Sequence, residues 1–178
     1  MVRPFQAIFL GTLLFAIGHV APALGGDDRW ADFRFLIGSW VGEGPPAQGS
    51  GSFSLEPDLE NKILLRRNTA YVPATKSRPA ARHEDLMVIY PDQAAKGFRA
   101  VYFDNEGHVI EYSVTALPAG KGLVFLGAAA PSTPRFRLTY IKTEGDKVAI
   151  EFEIAPPGQP ERFRRYLAGT ARRKQPVH

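Results

Sequence analysis

From Gly38 onward, apolar and polar residues alternate with a period of two, in short runs broken by turn residues. Before that point the spacing is different. Trp30, Phe33, Leu36 and Ile37 recur at helical intervals and predict one or two helical turns over 28–36. The period-two runs predict strands at 38–43, 49–57, 62–72, 83–90, 98–104, 108–116, 123–127, 136–142, 148–155 and 162–172. Alternation is cleanest late in the chain, where Val148, Ile150, Phe152 and Ile154 share one face. Lys147, Ala149, Glu151 and Glu153 share the other, the signature of a sheet with one buried and one solvated side.

The connections carry turn chemistry: Pro91-Asp92, Asp104-Asn105-Glu106-Gly107, Glu144-Gly145-Asp146 and Pro156-Pro157-Gly158. Most are short enough for hairpins, and no helical crossover that a parallel sheet would need is present. Ten strands in hairpin order leave two open edges unless the sheet closes on itself. The predicted fold is therefore all-β: an antiparallel up-and-down β-barrel of about ten strands, with a short N-terminal helix closing one end. A two-sheet sandwich is the alternative.

The N-terminus has a different character. Arg3 precedes an uncharged stretch from Phe5 to Val20, and small residues follow at Ala21, Ala23 and Gly25. Residues 1–23 are read as a secretory signal, cleaved after Ala23 or Gly25, rather than as an anchor. The apolar stretch is short of the roughly 20 residues a membrane span requires. This divides the chain into a leader, a barrel domain over 28–174 and a tail over 175–178. The mature protein is expected in the periplasm or outside the cell, without a membrane span.

Composition narrows the chemistry. The 178 residues contain no cysteine, which excludes disulfides, thiol catalysis and cysteine-based zinc sites. The formal charge of +4 falls to +3 once Arg3 leaves with the leader, too mild to suggest nucleic acid as a partner. No nucleophile elbow, phosphate loop, His-Glu-x-x-His or dinucleotide fingerprint is present, so no catalytic residue is assigned.

The run Phe35-Leu36-Ile37-Gly38-Ser39-Trp40-Val41-Gly42-Glu43-Gly44, a helical turn leading through Gly-x-Trp into the first strand, resembles the opening of lipocalin-like (calycin) barrels. The form Leu-Ile-Gly-Ser-Trp-Val-Gly-Glu-Gly is similar to nitrobindin-type barrels and to related bacterial barrel proteins of unknown function. Tyr102-Phe103-Asp104-Asn105-Glu106-Gly107 and the ending Gly169-Thr170-Ala171-Arg172-Arg173 extend the likeness along the chain. The resemblance implies that Gly38 turns the backbone tightly and that Trp40 plugs the barrel floor. It also implies that a basic residue of the last strand packs on that indole, with Arg172 as the candidate and Arg165 as the alternative. Nitrobindin-type proteins hold haem through a histidine of the closing strand. That strand here has none, and the equivalent position falls near Tyr166 or Ala168. No cofactor is therefore assigned, and haem stands only as an alternative through Tyr166.

Hairpin order puts the loops 44–49, 73–82, 104–107, 130–135 and 156–161 at the rim opposite Trp40. Lys76, Arg78 and Arg82 in the second of these form a candidate basic lid over the mouth, a common location for ligands. His83 and His108 begin strands at the same rim, roughly 10 Å apart at the backbone. They are read as separate rim residues rather than as a metal site, which would require Glu84 or Asp85 to complete it. In the pair Arg66-Arg67 one side chain must face inward, and Arg67, in the row of Leu65, Thr69 and Tyr71, is taken as the ligand-facing one. Glu84, Asp85 or Glu111 is expected to pair with the inward arginine. Arg67, Tyr71, His83, Tyr102, His108, Tyr112 and Tyr166 make up the candidate ligand-binding set. The function expected is binding of a small hydrophobic or amphipathic molecule, acidic ones included. A haem enzyme acting on reactive nitrogen species, a cavity isomerase and a structural envelope protein are the alternatives.

Overall fold

The computed structural model describes residues 28–45 and 49–175. The expected leader over 1–23, the rim-loop residues 46–48 and the last three residues of the tail lie outside them. Ten strands follow in order: β1 Gly38–Glu43, β2 Ser50–Asp58, β3 Ile63–Val72, β4 Ala81–Asp92 and β5 Gly97–Asp104, then β6 Val109–Ala116, β7 Gly122–Gly127, β8 Arg135–Lys142, β9 Lys147–Ala155 and β10 Arg164–Arg173. Each pairs antiparallel with its chain neighbours, and β1 pairs with β10 to close the barrel. The alternation in the sequence locates every strand end to within two residues. Closure is the reason a barrel and not a sandwich forms: the last strand covers the edge that the first would otherwise leave open.

The expected N-terminal helix is shorter than its spacing suggests. It is a single 3-10 turn, Ala31–Phe33, and its apolar residues are driven into the barrel rather than along a helix face. Trp30, Phe33 and Leu36 are buried, and the Trp30 ring stacks on Phe98 at a centroid distance of 5.1 Å. Above this floor the interior is filled by Phe53, Leu55, Leu64, Met87, Ile89, Leu123, Phe125 and Val148. Among the described residues no helix is long and apolar enough to cross a membrane.

Trp40 sits at the closure. Its indole N–H donates to the Leu36 carbonyl at 2.8 Å, and its ring lies parallel to Phe53. The cation on its face is Arg173, whose guanidinium carbon is 4.5 Å from the ring centroid. Nη1 and Nη2 of the same group donate to the carbonyls of Ile37 at 2.5 Å and Phe35 at 2.8 Å. Gly38 is required here twice over. Its φ of +123° disfavours a side chain, and an added Cβ would stand 2.6 Å from Arg173 Nη1.

This corrects the expectation for Arg172. The register sets Trp40 opposite Arg173 and Val41 opposite Arg172, so Arg172 points outward and is exposed. Arg165 also faces out, pairing with Glu151 at 3.1 Å. A bulge between Arg165 and Leu167 adds one residue to β10 and brings these two arginines, seven apart, onto the same outer face. The outer face of the last three strands is further joined by Arg137, which donates to Glu153 through Nε at 2.6 Å and Nη2 at 2.9 Å. That fork holds the Glu153 carboxyl below the ordinary range despite its partial burial.

Two outcomes are expected. Arg173→Met removes two charge-assisted hydrogen bonds and the cation–π contact and should cost about 2–3 kcal/mol in urea unfolding, whereas Arg172→Met should change stability by less than about 0.5 kcal/mol. Glu153→Gln should lower stability by about 1 kcal/mol at neutral pH. Because the folded carboxyl titrates below the unfolded value of roughly 4.3, its contribution is present above that pH and is lost as pH falls through the lower, folded value. The gap between variant and parent should therefore close in acid.

Candidate functional site

The upper half of the barrel is lined unlike the lower half. On the wall made by β3, β4 and β5, the inward rows carry Arg66 and Asn68, His83 and Asp85, and Tyr102 and Asp104. The deepest of these groups is an ion pair of Arg66 Nη1 with Asp85 Oδ1, whose side chains are 9% and 3% exposed. Arg66 also lies over the Phe53 ring. Asn68 Nδ2 donates to Asp85 Oδ2 at 2.8 Å, and His83 Nε2 lies 3.2 Å from that same oxygen.

From there a hydrogen-bonded chain climbs to the rim. His83 Nε2 is 3.1 Å from the Tyr102 hydroxyl, which donates to Asp104 Oδ2 at 3.2 Å. Asp104 Oδ2 meets His108 Nδ1 at 2.8 Å, while Asp104 Oδ1 accepts the backbone N–H groups of Glu106 and His108. The other ring nitrogen of His83, Nδ1, faces Glu106 Oε1 at 3.0 Å.

Burial sets the protonation of this wall. Desolvation pushes the hydroxyls of Tyr102, Tyr112 and Tyr140 above the usual phenol range, so all three stay neutral. Burial acts to lower Arg66, and the Asp85 carboxylate beside it acts to raise it through charge and a hydrogen bond. For Asp104, burial acts to raise the carboxyl, and the N–H and imidazole of His108 with the N–H of Glu106 outweigh it and hold it low. Arg66 Nε and the Tyr140 hydroxyl, both buried, have no hydrogen-bond partner among the described residues.

The opposite wall, β8 to β10, is apolar inside. Phe136 and Phe152 stack with centroids 5.9 Å apart, and Tyr166 meets Phe152 edge-on. Here the barrel is also incomplete at its top. β1 pairs with β10 only from Trp40 to Glu43, against Thr170 to Arg173, so among the described residues Arg164 to Gly169 pair with β9 alone. Beside this edge lies a groove of about 490 Å³, lined by Ile154, Pro134, Pro156, Arg162, Arg164 and Tyr166 among others. Neither Arg162 nor Arg164 has a carboxylate within ion-pair distance among the described residues.

The structure thus gathers some of the expected residues and separates others. His83, Tyr102 and His108 lie in one connected cluster, and Tyr112 is fully buried near them. Arg67 and Tyr71 are corrected to the outer wall. The row of Leu64, Arg66 and Asn68 takes the inside because it faces Ile89, Met87 and Asp85 across the β3–β4 ladder. Asp85 is the partner of the inward arginine, one of the three carboxylates the sequence offered. Tyr166 is 74% exposed, at the bulge in the upper part of β10 that β1 does not cover. Lys76 and Arg78 are exposed in a small turn closed by Thr75 and Arg78, and Arg82 pairs outward with Glu84 at 2.8 Å. Sequence reasoning missed the groove arginines Arg162 and Arg164, although the dense basic run at the start of β10 was visible. The chain matches no protein-family model, and no curated protein is significantly similar to it.

Removing one partner of the buried pair should be worse than removing both. Asp85→Ala strands the Arg66 charge and should cost roughly 3–5 kcal/mol in urea unfolding. Arg66→Met combined with Asp85→Leu should be more stable than Asp85→Ala. Parental stability in Asp85→Ala would mean that Arg66 is not held by this carboxylate.

Proposed function

We propose that the chain is an exported binding protein that holds a small amphipathic acid at the open end of its barrel. The observation that carries this reading is the groove over β9 and β10, where apolar walls adjoin two arginines with no carboxylate partner. Its volume of about 490 Å³ suits a small ligand, and barrel mouths are favoured binding positions. Arg162 and Arg164 supply a cationic seat for a carboxylate, with guanidinium geometry suited to bidentate recognition. The ligand's apolar part then lies along Ile154 and Tyr166 toward the Phe136–Phe152 stack. The Gly-x-Trp opening and the closed barrel fit a calycin-like protein, in which ligand binding within the barrel is the common use.

Haem fits these residues poorly. The closing strand carries no histidine, and Tyr166 beside the expected ligand position stands at an exposed edge with its ring against Phe152.

The test is to express the chain with its own N-terminus in a Gram-negative host and recover it from the periplasm. Intact mass should show loss of residues 1–23 or 1–25. Dodecanoate should then bind in a 1:1 ratio by native mass spectrometry and calorimetry. Arg162→Gln with Arg164→Gln should weaken that binding at least about tenfold, equivalent to about 1.4 kcal/mol. Absence of binding, or affinity equal in the double variant, would remove this reading.

A further inference from the structure

We infer that the opposite side of the mouth is a site for a divalent first-row transition ion, held by His83, Asp104 and Glu106. Each of these residues offers one ligand atom, and the three atoms lie within 4.8 Å of one another. His83 Nδ1 and Glu106 Oε1 already stand 3.0 Å apart, close to the separation of two donors that share an ion through bonds of about 2.1 Å.

The scaffold that brings them together is independent of the cluster itself. Asp104 ends β5, Glu106 lies in the turn that follows, and His83 lies near the start of β4. Asn105 locks that turn to β4. Its backbone N–H donates to the Glu84 carbonyl at 3.0 Å, and its side chain bonds Glu84 N and Arg82 O, each at 3.0 Å. The turn therefore cannot swing away from His83 without losing three hydrogen bonds.

Charge favours a cation here. Asp85, Asp104 and Glu106 bring three carboxylates to the network, and Arg66 is its one guanidinium, engaged by Asp85. Asp104 and Glu106 are left facing imidazoles. Both ring nitrogens of His83 point at carboxylate oxygens, so one of those contacts needs either a second proton on the ring or a metal ion in its place. An ion at Nδ1 satisfies Glu106 and His83 together and leaves Nε2–H to donate to Asp85. That arrangement, a ligating histidine whose other nitrogen is fixed by a carboxylate, is the common outer support of protein metal sites. His108 and Tyr102 in turn hold the Asp104 carboxylate in place.

One nitrogen and two oxygen donors suit zinc, cobalt or manganese better than calcium, which takes oxygen ligands alone. His83 and Glu106 are 30% and 57% exposed, so an ion can enter from solvent and keeps open positions facing the mouth.

The test uses the full chain, freed of ions by dialysis against a chelator and titrated with Zn²⁺ and Co²⁺. One ion should bind per chain with micromolar or tighter affinity, and Co²⁺ should develop visible absorption. His83→Gln and Glu106→Gln should each weaken binding at least about tenfold, and His108→Gln by about 10-fold through loss of support to Asp104. Near-UV circular dichroism checks that each variant keeps the parental fold. A misfolded His83→Gln leaves the exposed Glu106→Gln variant to decide. No saturable binding below about 1 mM, or binding unchanged in both Glu106→Gln and His83→Gln, would overturn the assignment. Dodecanoate binding by Arg162 and Arg164 is separate, and loss of either activity leaves the other measurable.

Discussion

The barrel depends on one guanidinium at its seam. Arg173 ends the last strand, covers the indole that opens the first, and caps the carbonyls of Phe35 and Ile37 in the segment leading into it. Losing the seam would expose the edges of β1 and β10 at once. The seam is short, only Trp40 to Glu43 against Thr170 to Arg173, so side-chain contacts there carry weight that a longer ladder would spread over backbone bonds. Gly38 is part of the same device, since its missing side chain is what lets Arg173 reach the carbonyls.

A short seam also shapes the mouth. Since β1 stops at Glu43, the upper part of β10 has no partner from the first strand among the described residues, and the rim groove lies beside that edge. The consequences differ around the ring. On the β9–β10 side, apolar and basic residues border an open groove. Across the barrel, on β3 to β5, polar side chains satisfy one another in a chain that runs from a buried ion pair to the solvent. The buried end of that chain is costly to break and fixes the wall. Its outer end consists of side chains on an anchored turn that reach solvent.

Much of the fold is legible in the sequence. Period-two alternation and turn residues locate all ten strands, because burial on one side of a sheet writes itself directly into sequence. Where the reading failed, it failed on phase. Arg66 and Arg67 are equivalent by alternation alone, and the choice falls to the partners across β4, which sequence spacing does not reveal. Arg172 and Arg173 are equally placed by adjacency, and the choice falls to the register of β1 against β10. Arg165 and Arg172 share a face only through the bulge between Arg165 and Leu167, which leaves no local signature. The N-terminal apolar spacing suggested a longer helix, but three residues of 3-10 turn suffice to deliver Trp30, Phe33 and Leu36 to the floor.

The sequence by itself determined the strand positions, the turn positions and the absence of thiol chemistry, while Trp40 and Gly38 at the floor were implied by the resemblance of the Gly-x-Trp opening. The former follow from local pattern and composition, which act residue by residue. Tertiary structure alone decided which arginine covers Trp40, which of two adjacent arginines is buried, and that His83, Asp104, Glu106 and His108 converge. Such choices depend on register between strands distant in the chain, and a shift of one residue there turns every side chain to the opposite face.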